Sequence, residues 1–273
     1  MSGRSWADSL WTDVLCVLGL SIMCVLVARG RGPSGSLIQA AEVPQSRIVL
    51  GEAVKMGNGS ARTWVRVSSQ GQPEAVGVRV EEKALEGLPD VNTKHCCDGP
   101  EFVLPLPREV AVAPFDHVSI NWNPHGHIPE GVYDKPHFDF HFYFISQDER
   151  QRVVGSMSKE HPECKAPDAD HIPEGYITTA MSFPRMGTHL VDLKSPEFNG
   201  KLFTRTLIWG SCDGRITFVE PMITKAFLQS HSEESESIKQ PKKYPSSGYY
   251  PTSYRVSHED GAHVVALEGL VLR

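Results

Sequence analysis

The sequence lacks several features that would assign it to a common functional class. It has no cluster of lysine and arginine, and its net charge is −6, so no nucleic-acid partner is predicted. It contains neither a Gly-x-Ser-x-Gly motif nor a phosphate-binding loop, which argues against a serine hydrolase or nucleotide-dependent enzyme built on those motifs. It also contains no Cys-x-x-Cys pair, so a cysteine-based zinc site is disfavoured.

Long helices are not predicted either. The 273 residues include 23 glycines and 20 prolines, and short alternating apolar runs recur between them. These runs predict a mainly β fold, a sandwich or barrel-like domain of about nine or ten short strands with one or two small helices. Hairpin turns are predicted at residues 70–73, 211–214 and 259–261, and helical turns at 81–88 and 147–154.

The longest apolar run lies near the N-terminus, at residues 14–28. It is shorter than the roughly 20 residues that a membrane-spanning helix needs, and small residues follow it at a suitable cleavage position. We therefore predict a secreted protein with a signal peptide or signal-anchor at 1–30, a linker at 31–50 and a single β-rich domain at 51–273. The alternative is a single-pass membrane anchor with the domain outside the cytosol. An exposed connection is predicted near 230–247.

The cysteines fit an oxidising compartment. Two of the six lie in the apolar run, which leaves Cys96, Cys97, Cys164 and Cys212. Adjacent cysteines rarely bond to each other, because the ring would strain the peptide between them. The preferred prediction is a disulfide from Cys96 or Cys97 to Cys164.

Residues 136–144 carry the strongest chemical signal. Read as a strand, they place four phenylalanines on one face, and His137, Asp139 and His141 on the other, beside Tyr143. Positions four apart on a strand are about 13 Å apart, so the two histidines reach one metal only at full stretch. An adjacent pair would need ligands from other segments, and the candidates are His127, His189 and Glu220.

Two functions remain open from these residues. The first is a metal-binding enzyme holding a divalent transition metal (zinc, iron or manganese) and acting on an unidentified small molecule. Its ligands would form a two-histidine, one-carboxylate set from His137, Asp139 and His189, or a cupin-like set from His127, His141, His189 and Glu220. The second is a non-catalytic exported domain that binds a partner or assembles into a homo-oligomer, with a structural histidine cluster. Five further histidines lie in polar stretches and are expected to be solvated: His95, His161, His231, His258 and His263.

Several stretches together resemble a family of secreted, mostly bacterial proteins of unknown function, which includes a sigma-E-controlled protein from a thermophile. The stretches are Pro-His-Phe-Asp-Phe-His-Phe-Tyr at 136–143, Met-Gly-x-His at 186–189 and Glu-Pro-Met-Ile-Thr at 220–224. The resemblance implies an exported, mostly β domain and carries over no catalytic residue. Cys212 stands where the family usually has tyrosine, which argues against a disulfide at Cys212.

Overall fold

The computed structural model describes residues 45–91, 99–155 and 164–273. In chain order, the strands of these residues are β1 (Arg47–Leu50), β2 (Val54–Met56), β3 (Gly59–Val67), β4 (Pro73–Glu81), β5 (Glu101–Pro105), β6 (His117–Asn123), β7 (His137–Tyr143), β8 (Tyr176–Phe183), β9 (Gly187–Asp192), β10 (Arg205–Cys212), β11 (Arg215–Thr224), β12 (Glu234–Ser237), β13 (Tyr249–Tyr250), β14 (Ser253–Glu259), β15 (Ala262–Glu268) and β16 (Val271–Leu272). The helices are α1 (Gln147–Arg152) and α2 (Lys225–Gln229), with turns of 3₁₀-helix at Glu82–Leu85, Ala169–His171 and Pro196–Asn199.

Fourteen of these strands form two antiparallel sheets. The first sheet has the order β1-β3-β4-β15-β14-β12, with β2 also paired to β3. The second has the order β5-β6-β7-β11-β10-β9-β8, so β7 lies near its centre. A separate small pair joins β13 and β16. Neither large sheet closes on itself over the described residues, and the fold is therefore a mainly β, sandwich-like one, as the sequence predicts.

The largest hydrophobic core lies between the two sheets. Val78 and Val265 enter it from the first sheet, and Phe138, Phe140 and Phe142 enter it from β7 in the second. All five side chains are almost completely buried. Burying a large apolar side chain stabilises the fold by about 1.5–3 kcal/mol. Burial of the phenylalanines therefore strongly favours the orientation of β7 in which they face the core. This confirms the predicted aromatic face of the strand, and it fixes the opposite face for the polar residues.

The predicted hairpin turns are confirmed. Asp213 and Gly214 join β10 to β11 in two residues, with φ angles of 51° and 79°. Asp260 and Gly261 join β14 to β15 in the same way, with φ angles of 47° and 70°. Aspartate and glycine tolerate this left-handed backbone, which matches the twist of the flanking strands. The Asp-Gly pairs are thus sufficient to locate both turns from sequence.

The structure has more strands than the sequence predicts, and one predicted helix is only a 3₁₀ turn. The described residues form sixteen strands rather than nine or ten. β12 lies inside the predicted exposed connection, and all four of its residues, Glu-Ser-Glu-Ser, are exposed at the edge of the first sheet. A charged edge strand resists pairing with other chains, which explains why its composition resembles a loop. The helix predicted at 81–88 is only a 3₁₀ turn at Glu82–Leu85.

A disulfide is confirmed, but its predicted pairing is wrong. Cys164 bonds to Cys212, the last residue of β10, rather than to a cysteine at 96–97. The backbone N–H of Gly214 donates to the carbonyl of Lys165 at 2.9 Å, which holds the chain after Cys164 against the β10–β11 turn. This docking brings together two cysteines that are 48 residues apart in the sequence. No local sequence pattern predicts it. Residues 96–97 lie outside the described part of the chain.

The predicted N-terminal segment at 1–30 also lies outside the described residues, as does most of the predicted linker at 31–50. Only the end of that linker is described, and it contains β1. Among the residues that the structure describes, no helix is both long enough and apolar enough to cross a membrane.

Candidate functional site

The centre of the second sheet has a polar face, which points away from the core and is nevertheless buried. The register places three polar residues of β6 opposite three of β7: Asn123 beside His137, Asn121 beside Asp139, and Ser119 beside His141. All six side chains are buried. Buried polar groups need hydrogen-bond partners, so the partners of these six side chains determine what this face can do chemically.

Aromatic rings from two loops cover one end of this face. Tyr133 precedes β7 and Phe203 precedes β10, and their ring centroids are 5.0 Å apart. The Phe203 ring lies 5.2 Å from the His137 ring, and the Tyr133 ring lies 5.7 Å from the His127 ring. The two rings remove water from the surroundings of both histidines, so electrostatic interactions there are stronger than at the surface.

His127 and His137 are held in matching orientations. The Nδ1 of His127 lies 2.7 Å from the carbonyl oxygen of Ile128, and the Nδ1 of His137 lies 2.6 Å from the carbonyl oxygen of Lys135. A carbonyl only accepts, so each Nδ1 carries the proton and donates it. In the neutral ring, Nε2 is then the nitrogen with the lone pair. Backbone carbonyls often orient metal-binding histidines in this way.

Both Nε2 atoms point toward the carboxylate of Asp139. The distance from His137 Nε2 to Asp139 Oδ1 is 3.1 Å, and that from His127 Nε2 to Asp139 Oδ2 is 3.5 Å. One donor atom from each of these three residues lies within 4.8 Å of the others. Asn123 Nδ2 donates to Asp139 Oδ2 at 2.7 Å and lies 3.3 Å from His137 Nε2. We call His127, His137 and Asp139 the buried group.

The next residues along the same face form a less connected set. Glu220 of β11 lies level with His141 of β7, and His141 Nε2 is 3.4 Å from Glu220 Oε2. His189 of β9 stacks on Phe183, with ring centroids 5.1 Å apart. The 3.4 Å approach of His141 to Glu220 is not a hydrogen bond, and among the described residues neither His189 Nε2 nor Glu220 Oε2 has a hydrogen-bond partner. This end of the face therefore contains polar atoms that the protein itself leaves unsatisfied.

The two ends of the face differ in charge. Burial alone would raise the pKa of Asp139, but the positive charges that His137 and His127 carry when protonated, with their hydrogen bonds to the carboxylate, outweigh burial and hold that pKa below its usual range. Burial lowers the pKa of His141 to about 4. Burial and the neighbouring His141 lower the pKa of His189 to about 3. Burial, reinforced by the Asp139 charge, raises the pKa of Glu220 well above its usual value. Among these four side chains, Asp139 is therefore the one that carries charge near neutral pH.

The structure brings all six candidate residues to one face, but not into one ligand set. His127, His137 and Asp139 are within common reach of a metal, whereas His141, His189 and Glu220 lie outside that group. The residue that joins the adjacent pair from a separate segment is thus His127, and His189 lies outside this group. Asn123 was not a candidate from sequence. Its signal was the alternation Ser119, Asn121, Asn123, which repeats on β6 the polar face of β7.

Part of the chain matches a protein-family model. Residues 68–122 match the TTHB210-like family, described as hypothetical protein TTHB210. The match covers β4, β5 and all of β6 except its last residue, and it ends before β7. It supports similarity to an uncharacterised family and names no activity. No curated protein and no solved structure matches the chain significantly.

Proposed function

We propose that this protein is exported and that the buried group binds one divalent transition-metal ion, of the zinc, iron or manganese class, through two histidines and one carboxylate. The single observation that carries the proposal is the orientation of the histidines. Both donate Nδ1–H to backbone carbonyls and so direct both Nε2 atoms at one buried carboxylate. Two lone pairs facing a carboxylate repel unless a proton or a metal ion lies between them.

The distances support a metal ion. In a tetrahedral site with bonds of about 2.0–2.1 Å, neighbouring donor atoms are about 3.3 Å apart. The separations of 3.1 and 3.5 Å between the histidine nitrogens and the Asp139 oxygens lie on either side of that value. Asn123 supports the carboxylate from outside through its 2.7 Å hydrogen bond, the kind of outer contact that tunes metal sites. Three protein ligands leave at least one coordination position for a further ligand.

A structural cluster without metal is the competing function. Its specific support is that a protonated His137 would donate to Asp139 at 3.1 Å while Asn123 donates to the other oxygen. In that arrangement the Nε2 of His127 also lies 3.5 Å from the carboxylate. We prefer the metal because both histidines donate Nδ1–H to backbone carbonyls, which directs two Nε2 atoms at the same carboxylate.

Elemental analysis tests the proposal. The protein would be produced through a secretory route in metal-replete medium, purified without a metal-affinity tag, washed briefly with EDTA to remove exchangeable surface ions, and measured for retained metal. We expect roughly one equivalent in the wild type and less than about a tenth in His137→Gln, since one of three ligands is lost. The matched control is His117→Gln, because His117, the first residue of β6, is also buried and its Nδ1 lies 2.7 Å from Asp116 Oδ1. This control should keep its metal.

The structural cluster makes the opposite prediction. A wild-type protein with less than about a tenth of an equivalent of any transition metal would refute the metal site. Equal metal in wild type and His137→Gln would also refute it, because the ion would then bind elsewhere.

Export is proposed on separate grounds. The apolar run at 14–28 and the disulfide between Cys164 and Cys212 both fit an oxidising compartment. N-terminal sequencing of secreted material should find a mature chain that begins near Arg31. A retained Met1 on a membrane-bound product would support the signal-anchor instead.

A further inference from the structure

A second group of histidines lies on the first sheet, away from the buried group. His258 on β14 and His263 on β15 are cross-strand partners beside the Asp260-Gly261 turn. His231 approaches from the turn after α2, where its backbone N–H donates to the carbonyl of Leu228 at 3.1 Å. Glu82 begins the 3₁₀ turn that follows β4, and β4 is the neighbour of β15. Residues from four segments therefore converge.

The donor atoms of this group are close together. One donor atom of each of the three histidines lies within 4.8 Å of the others. The rings of His231 and His258 stack with centroids 3.8 Å apart and planes 8° apart. His258 Nε2 is 2.6 Å from Glu82 Oε1, and His231 Nε2 is 3.5 Å from the same oxygen. Two imidazole nitrogens thus approach one carboxylate oxygen, whereas in the buried group they approach the two different oxygens of Asp139.

This group is open to solvent, unlike the first. The side chains of His231 and Glu82 are 48% and 47% exposed, and that of His258 is 20% exposed. His263 is buried beneath them. An ion can therefore enter and leave without local unfolding, and the exposed His231 ring has room to turn. This freedom is needed because the lone pairs of two stacked rings lie in parallel planes. They can converge on one metal ion only after one ring turns.

We propose that His231, His258, His263 and Glu82 form a second, surface metal site that binds zinc or copper reversibly. Three imidazoles suit these two metals, and Glu82 supplies an oxygen and a compensating negative charge. We call these four residues the surface group. Binding would tie the end of α2 to the β14–β15 hairpin and to the 3₁₀ turn at Glu82–Leu85. This site does not depend on whether the buried group binds metal.

Zinc titration by calorimetry tests the surface group. We expect the wild type to bind one equivalent of zinc that a brief EDTA wash removes. The main variant is His231→Asn, because His231 has a φ of 54° and asparagine tolerates this left-handed conformation. It should bind zinc at least about tenfold more weakly, and Glu82→Gln about tenfold more weakly. With copper, electron paramagnetic resonance should show fewer coordinated nitrogens in His231→Asn than in the wild type.

Two controls separate this site from other binding. His125→Asn removes an exposed histidine whose Nε2 also contacts a carboxylate, that of Asp90 at 2.7 Å, and it should leave the exchangeable zinc unchanged. His137→Gln alters the buried group and should also leave it unchanged. Zinc binding that is equal in the wild type and His231→Asn, or absent from the wild type, would overturn the proposal. A protein without retained buried metal but with this exchangeable equivalent would refute only the proposed function.

Discussion

The molecule contains two groups in which imidazole nitrogens surround a carboxylate, and they differ chiefly in their access to water. In the buried group, His137 and Asp139 have no exposed surface. In the surface group, nearly half of His231 and of Glu82 is exposed. The donor separations are nevertheless alike: 3.1 and 3.5 Å to Asp139, and 2.6 and 3.5 Å to Glu82. The two groups therefore have similar donor separations but lie in very different dielectric surroundings, one buried and the other in contact with water.

The difference in burial predicts different effects of substitutions on metal binding and on stability. In the buried group, each polar atom has lost water and depends on its partners, so removing one partner leaves another uncompensated. In the surface group, water replaces a lost partner at small cost. We expect changes in the buried group to affect both metal binding and stability, and changes in the surface group to affect mainly metal binding. The following predictions test this contrast.

The largest contrast is expected between the two carboxylates. Asp139→Ala should lower the free energy of unfolding by about 3–5 kcal/mol, because it leaves His137 and Asn123 without their buried partner. Glu82→Ala should lower it by less than about 1 kcal/mol, since its two histidine contacts are solvent-exposed. Urea denaturation followed by tryptophan fluorescence measures both. Equal losses in the two variants would contradict the comparison.

Loss of packing should separate stability from metal binding on β7 itself. Phe140→Ala opens a cavity in the core between the sheets and should cost about 3–5 kcal/mol. The side chain points away from Asp139, so the folded variant should retain both metal equivalents. Elemental analysis and zinc titration of the same sample provide the check. A variant that folds but lacks the buried metal would show that the ligand geometry depends on the core face as well.

The position of each group in the fold explains how much of it could be predicted from the sequence. The buried group is visible because β7 alternates phenylalanine with histidine and aspartate, and a period of two is a property of the strand alone. Its partner His127 was a candidate only by residue type and by its position next to a predicted strand, because the loop that carries it is positioned by tertiary packing. The surface group was interpreted as solvated histidines. His231 is 27 residues from His258, and only the pairing of β14 with β15 and the end of α2 bring them together.

The same distinction holds for the fold. The Asp-Gly turns and the central strands were predicted, because their signals are local. β12 was not, since its Glu-Ser-Glu-Ser sequence meets the requirements of an exposed edge and not those of a core strand. The Cys164–Cys212 bond was missed for a related reason: the resemblance argued against Cys212, and the contact depends on docking of residue 165 against a distant hairpin.

Acid should distinguish buried from exposed histidines. Burial lowers the pKa of His189 to about 3, whereas an unfolded histidine titrates near 6.5. Between these values the unfolded chain binds more protons, so the free energy of unfolding falls as the pH falls. From pH 7 to pH 5, the wild type should lose about 2 kcal/mol more than His189→Gln, which cannot titrate at this position. Urea denaturation at both pH values, with a chelator present, measures the difference.

The control for this prediction is His125→Gln, because the His125 side chain is 54% exposed. Its pH dependence should match that of the wild type. Wild-type and His189→Gln curves that run parallel between pH 7 and pH 5 would show that His189 is as accessible to protons in the folded protein as in the unfolded chain.

The smallest expected effect is the most specific to the surface group. An ion that binds the folded protein alone stabilises it according to its concentration relative to its dissociation constant, and at ten times that constant the gain is about 1.4 kcal/mol. Zinc at this concentration should therefore stabilise the wild type by about 1.4 kcal/mol. It should stabilise His137→Gln equally and His231→Asn much less. The gain arises because the four surface residues come from segments that separate on unfolding, so the unfolded chain cannot form the site. If zinc stabilises His231→Asn as much as it stabilises the wild type, the ion acts elsewhere and the surface group is not its binding site.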